Sequence, residues 1–356
     1  MNILFYLSHP AQFHFAKNII SNLKRDGNNV VILIKTKDVL ESLLKESGWD
    51  YINIQPKLRK NNKLSMALAS FQRTFRVLNY AKKYKADMLV GTDASIAQTA
   101  WLLHKVSLTT LEDDAEIIPK LVKTTYPFTT DIVVPSVCGV GRWKNKKIAY
   151  QGYMKLAYLH PNYFQPDIEV VRKYIKEEKF CIIRLAKLTA HHDKGIGGLN
   201  LQQTLDMVKM LISAGIKPYV HSEVNLNDDL RKYQLNMASS DIHHIIAFAT
   251  LLVSDSQSMS VEAAMLGTPS VRFSDFSGRI SVLEELESKY QLTFGIKSTN
   301  SERLFEKIQE LLSNEDLKKE FSARRQKMLD DKIDVTAFFT WYIEKYPQSK
   351  SEYLKQ

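Results

Sequence analysis

Short apolar runs alternate with stretches of helical spacing along nearly the whole of this 356-residue chain, and that alternation restricts the fold more than any other feature. Strand-like runs at 1–7, 30–34, 51–54, 88–91, 107–111 and 132–134 are separated by helical stretches ending near Gly27 and lying near 39–46, 57–85, 96–104 and 117–123. A strand that is followed by a helix before the next strand pairs with it in parallel, the helix crossing one face of the sheet. The rhythm breaks at 143–166, a stretch with Tyr150, Tyr153, Tyr158, Tyr163, Phe164 and two prolines, and then resumes. Strands are expected at 180–184, 217–222, 251–254 and 270–273, with helices near 201–214, 226–235, 259–266, 282–290, 302–312, 317–328 and 335–346. The expected fold class is therefore α/β, with two Rossmann-like doubly wound domains. The first spans 1–150 and is completed by a returning helix at 335–356 with Phe338, Phe339, Trp341 and Tyr342 on its buried face. The crossing is 151–168 and the second domain 169–334, and the tail after Pro347 should fray.

In the stretch Leu251–Pro269, written 251–269, an apolar run gives way to Ser254, Asp255, Ser256 and Ser258, then to helical spacing that stops at Gly267 and Pro269. Ser256 and Ser258 can cap the helix, whose first amides lack carbonyl partners and attract phosphate. Glu262 lies one turn beyond Ser258, where a carboxylate could accept from the hydroxyls of a ribose. A well-capped helix in an ordinary βα unit produces the same pattern.

Ligands in open α/β sheets bind beyond the carboxyl ends of the strands, which selects a short list of other candidates. His9 and His14 follow the first strand and could act as base or donor, or could only bond backbone. Asp93 follows 88–91 and could be catalytic or a helix cap. Glu112, Asp113, Asp114 and Glu116 crowd the end of the next strand, with Asp113 and Glu116 expected to face a cleft or to fan out into water. Arg184 opens a loop holding Lys187, His191, His192, Asp193 and Lys194, whose cations suit a leaving diphosphate. His-His-Asp could suggest a metal, but no second cluster completes a ligand set, so no metal and no cofactor is expected.

The motifs Asp255-Ser256, Glu262-Ala263 and Leu266-Gly267-x-Pro269 resemble the nucleotide-sugar signature of GT-B proteins, especially non-hydrolysing UDP-N-acetylglucosamine 2-epimerases and related glycosyltransferases. The resemblance implies that Ser256, Gln257 and Ser258 hold a diphosphate and Glu262 a ribose, that His244 lies near the base, and that Asp93 is the functional acid of its strand end. Where the epimerases usually carry paired glycines, this chain has Gln257-Ser258. Ser8-His9-Pro10-Ala11-Gln12-Phe13-His14-Phe15, Tyr150-Gln151-Gly152-Tyr153, His160-Pro161-Asn162-Tyr163-Phe164, His191-His192-Asp193 and Ile242-His243-His244 also resemble domain-of-unknown-function family three-five-four. That family is similar in pattern to GT-B enzymes and accompanies surface-polysaccharide genes. The implied activity is transfer from a nucleotide sugar, with UDP as the expected carrier, to a glycan or lipid-linked acceptor. A UDP-N-acetylhexosamine 2-epimerase and a non-catalytic glycan- or nucleotide-sugar-binding module are the alternatives.

The formal charge of +10 is concentrated between 57 and 85, where nine basic residues stand without an acidic one. Met66, Phe71, Phe75 and Leu78 are spaced as the packed face of a helix whose other face is basic. That face could be merely solvated, could meet anionic lipid or a lipid-diphosphate acceptor, or could bind nucleic acid, which no accompanying motif supports. No run nears the roughly 18 apolar residues of a membrane span, and the first residues lack a basic leader, so a cytoplasmic protein, peripheral at the inner face of the membrane through 57–85, is the expectation. Cys138 and Cys181 are expected to be buried hydrophobes.

Overall fold

The structure, a computed structural model, describes all residues except 38, 57–62, 187–196, 223–224 and 356, and the side chains of 63–68. The chain divides into two units, Met1–Tyr163 joined by Ile333–Gln356, and Phe164–Lys332. In the first, strands β1 (Asn2–Leu7), β2 (Asn29–Lys35), β3 (Ile52–Gln55), β4 (Met88–Gly91), β5 (Val106–Thr110), β6 (Asp131–Pro135) and β7 (Lys147–Tyr150) form one sheet. Its order is β3-β2-β1-β4-β5-β6-β7 and each pairing is parallel. Helices α1 (Pro10–Arg25), α2 (Leu40–Glu46), α3 (Lys63–Lys83), α4 (Ala94–Leu103), α5 (Pro119–Thr125) and α6 (Leu156–Leu159) belong to this unit. Parallel strands covered on both faces need apolar side chains on both, which is why Ile3 to Leu7 form an unbroken buried run. The strand order reverses between β1 and β4, opening a switch-point crevice at their carboxyl ends. Gly91 is required there, because a Cβ would come within 2.9 Å of the Tyr6 carbonyl oxygen.

The second unit contains α7 (Ile168–Arg172), β8 (Phe180–Leu185), α8 (Leu201–Ser213), β9 (Lys217–Ser222), α9 (Asp228–Arg231), α10 (Ile242–Phe248), β10 (Leu251–Ser254), α11 (Gln257–Leu266), β11 (Ser270–Phe273), α12 (Ser281–Ser288), β12 (Thr293–Ile296), α13 (Ser301–Leu312) and α14 (Leu317–Asp331). Its sheet runs β12-β11-β10-β8-β9, again parallel, with the switch between β8 and β10. The chain then rejoins the first unit through α15 (Val335–Glu344) and α16 (Gln348–Tyr353). Both units are thus the doubly wound α/β domains that the alternation implies.

Several local expectations are corrected. The segment 151–163, read as part of the crossing, is core of the first unit: Tyr153, Leu156, Ala157, Tyr158 and Leu159 are all buried. The tail does not fray over α16, because Ser349 is buried, Lys350 pairs with the buried Asp131, and Ala149 donates its amide to Tyr353 Oη at 2.8 Å. On α15, Phe339 and Tyr342 are buried, and Phe338 and Trp341 are half-buried at its edge. On α3 the buried residues are Thr74, Val77 and Ala81, whereas Phe71 and Phe75 face solvent and Leu78 is half-buried. The side chain of Met66 lies outside the described residues. The reason is close packing against α4, where Thr99 Oγ1 donates to the Thr74 carbonyl at 3.3 Å and Thr74 Oγ1 to Gln98 Oε1 at 3.0 Å, an approach that bulky rings would block. Cys138 and Cys181 are free and buried, with burial pushing both thiols up.

Candidate functional site

Some of the candidate residues stand at the two switch points, one in each unit: His9 and Asp93 in the first, and Arg184, Ser256, Gln257 and Ser258 in the second. In the first unit, β1 runs into α1 through Ser8 and His9. The Ser8 amide donates to Gln12 Oε1 at 2.6 Å, and His9 is the N-cap of α1, its Nδ1 accepting from the Ala11 amide at 3.2 Å. An Nδ1 that accepts carries no proton, so the neutral His9 ring has its hydrogen on Nε2 and presents a donor. His14 is half-buried on α1, its ring 5.5 Å from Phe13 and 5.3 Å from Tyr158, and Lys17 Nζ lies 5.9 Å from the same Tyr158 ring centroid.

Asp93, at the end of β4, caps α4: its Oδ1 accepts from the Ser95 amide at 3.0 Å and from Ser95 Oγ at 2.8 Å. Arg73 Nε of α3 lies 3.1 Å from the same oxygen, an ion pair that is off the line of a hydrogen bond. The carboxylates after β5 diverge. Glu112 turns inward to pair with Lys155 and accept the Met154 amide at 3.1 Å, and Asp114 accepts the Gly139 amide at 2.7 Å. Asp113 and Glu116 are exposed.

In the second unit, β10 ends at Ser254 and α11 begins at Gln257. Ser254 Oγ accepts the Ser256 amide at 2.8 Å, and Ser256 is the N-cap, its Oγ 3.5 Å from the Met259 amide. Such a cap stabilises by about 1 kcal/mol. The amides of Gln257 and Ser258, in the first turn, have no helical carbonyl to reach. Ser256, Gln257 and Ser258 are partly exposed, and the buried Gln257 Oε1 finds no donor among the described residues. From Met259 to Leu266 every residue is buried, so α11 is enclosed by its neighbours α10, α12 and α14 rather than amphipathic. Gly267 ends it at φ 77°, the left-handed C-cap that suits glycine.

Glu262, expected one turn beyond Ser258 as a ribose acceptor, shares this burial: it is 8 % exposed and its Oε2 lies 3.6 Å from Nε2 of the buried His243. That distance is long for a hydrogen bond. His244, half-buried, accepts the Asp167 amide on Nδ1 at 2.9 Å and packs its ring 4.8 Å from Phe164. Burial pushes its pKa down, and its neutral ring, like that of His9, is a donor at Nε2.

Strand register adds what local spacing does not reveal. His221 of β9, Arg184 of β8, Ser254 of β10, Arg272 of β11 and Gly295 of β12 stand in one row across the sheet. Burial, and then the charge of Arg184, lower the His221 imidazole to about 4. Arg272 is fully buried, none of its guanidinium nitrogens is hydrogen-bonded among the described residues, and Glu284 and Glu287 stand 3.9 Å away. Asp255 follows Ser254; its Oδ1 accepts the Ala186 amide at 2.7 Å, and burial raises its carboxyl to about 6. Arg272 was not among the expected site residues, its one signal being a charge inside the run 270–273, whereas His221 stands at the end of the expected strand 217–222 and so meets the strand-end criterion. His192 and Lys194 lie outside the described residues, as do His191 and Asp193. Among the described residues no cluster has metal-binding geometry, and no helix is long and apolar enough to cross a membrane.

Two parallel doubly wound units with these switch points define the GT-B architecture, and solved structures of that architecture match the chain over its whole length. The UDP-GlcNAc 2-epimerase of Neisseria meningitidis bound to UDP-GlcNAc is 12% identical, with a TM-score of 0.66 over 99% of this chain and 100% of that one. S. aureus MnaA in its co-structure with UDP is 11% identical, with a TM-score of 0.67 over 100% and 98%. The spinosyn forosaminyltransferase SpnP is 12% identical, with a TM-score of 0.64 over 99% of each chain. No protein-family model and no curated protein matches the chain, so the narrower family resemblance gains no support.

Proposed function

We propose that the protein is a glycosyltransferase whose donor is a UDP sugar and whose acceptor is a glycan or lipid-linked alcohol. The observation that carries this is the β10–α11 junction: a capped first turn with outward amides, at the switch point beside Arg184, in an architecture whose solved examples include complexes with UDP and UDP-GlcNAc. The diphosphate would bond the amides and hydroxyls of Ser256, Gln257 and Ser258, and a ligand hydroxyl would satisfy Gln257 Oε1. The ribose would bond Glu262 across its gap to His243, and the Nε2–H of His244 would donate to a base carbonyl. In transfer, the acceptor oxygen bonds the anomeric carbon as the bond from that carbon to the diphosphate breaks. The electron pair leaves on the phosphate, where Arg184, with His192 and Lys194, would offset its charge. The acceptor proton would pass to His14, with His9 donating a hydrogen bond and Asp93 holding Arg73 and the α4 terminus. The context we propose for this activity, bacterial surface-polysaccharide or glycoconjugate assembly, rests on the motif resemblance alone.

A second reading, a UDP-N-acetylhexosamine 2-epimerase, is favoured by full-length matches to 2-epimerases, the one from Neisseria meningitidis included. It would need Asp93, Asp113 or Glu116 beside the sugar to move a carbon-bound proton. Calorimetry with UDP tests the shared part: binding is expected, and Glu262→Gln should weaken it about 10- to 100-fold. Absence of binding by every nucleoside diphosphate tried would end both readings. Incubation with UDP sugars alone then separates them, since an epimerase converts them without acceptor, a transferase only with one, and a non-catalytic module in neither case.

A further inference from the structure

Phe71 is the most exposed large hydrophobic side chain among the described residues, at 71 %, and Phe75, one turn further along α3, is 56 % exposed. Residues four apart share a helix face, so the two rings form one apolar strip. In the sequence, Leu64 and Leu68 precede Phe71 by seven and three residues, spacing that continues the same series. The helix gains nothing for its fold from these rings, because its packed face is Thr74, Val77 and Ala81. Helical spacing sets Lys82 between Phe71 and Phe75 on the wheel, and Lys82, Lys83, Lys85 and Arg76 are exposed. Exposed rings flanked by cations, in a segment of nine basic and no acidic residues, match a surface that is apolar beneath and anionic on top. A second copy of the chain would bring like charge against like charge.

We propose that this face of α3 docks on an anionic lipid bilayer, with Phe71 and Phe75 entering the headgroup layer and the neighbouring basic residues pairing with lipid phosphates. Cationic stems suit this position, since their methylenes lie along the apolar layer while the ammonium stays at the phosphates. The proposal stands apart from the sugar-nucleotide reading, and its test contains no nucleotide.

The test is flotation of the full chain with phosphatidylcholine vesicles, with and without about a third phosphatidylglycerol. Binding is expected only to the anionic vesicles, and it should weaken as salt rises. Phe71→Ser/Phe75→Ser should reduce the partition by about tenfold or more, and Lys82→Gln/Lys83→Gln by about fivefold per lysine, each with an unchanged Tm because all four positions are exposed. Failure of the native chain to float with anionic vesicles would overturn the proposal, as would equal partition of folded Phe71→Ser/Phe75→Ser. Two further outcomes would replace the bilayer with another occupant: a native dimer that the phenylalanine variant dissociates, or duplex DNA binding at physiological salt that the same variant abolishes.

Discussion

The switch points of the two units differ in how their polar groups are satisfied. At the ends of β1 and β4 the side chains hold one another and the backbone: His9 caps α1, Asp93 caps α4, and Arg73 closes on Asp93. Around the ends of β9, β10 and β11, His221 Nδ1, Gln257 Oε1 and the whole Arg272 guanidinium are buried without hydrogen bonds among the described residues, and at the first switch point Arg73 Nε is left so beside its ion pair. Buried polar atoms left so are costly and mark places where something else completes them. The contrast is one of degree: the second unit leaves a whole guanidinium without hydrogen bonds, while in the first the caps of α1 and α4 are already made.

The sharpest way to break this comparison is Ser258→Asp. A carboxylate in the first turn favours the α11 dipole, so the fold should hold or gain stability, but it would repel the diphosphate of the proposed donor. UDP affinity by calorimetry should fall about a hundredfold or more. Unchanged affinity would place the nucleotide elsewhere. Asp93→Ala tests the other switch point: it removes a cap and strands Arg73, costing about 1–3 kcal/mol in denaturant unfolding while UDP affinity stays within about twofold.

The smallest effect concerns pH. Asp255, raised to about 6, gives stability that is present below the unfolded carboxylate value of 3.8 and is lost as pH rises through 6. His221, lowered to about 4, gives stability that is present above the unfolded value of 6.5 and is lost as pH falls through 4. Between pH 4 and 6 the two slopes oppose, so the native protein should respond weakly. His221→Gln should then lose stability with rising pH, and Asp255→Asn should gain it, each by up to about 1.4 kcal/mol per pH unit in chemical unfolding.

What could be read from the sequence was whatever is local. Parallel alternation and the β10–α11 turn depend on neighbours a few residues apart, and both are present in the structure. The packed face of α3 was misread because its large aromatics dominate the apolar pattern, whereas the close approach of α4 selects threonine, valine and alanine. Glu112 finds Lys155, 43 residues away, so no local rule could tell it from Asp113 or Glu116. The row from His221 to Gly295 exists only through strand register, and the burial of Glu262 only through the helices around α11.

Because α11 is enclosed from Met259 to Leu266, its partly exposed leading turn is anchored from behind. A guest arriving there meets a seat already set and does not have to organise it, so little entropy is lost by the host at that spot. If the proposed nucleotide sugar is that guest, discrimination among nucleobases and sugars would fall to the side chains arrayed around a fixed anvil.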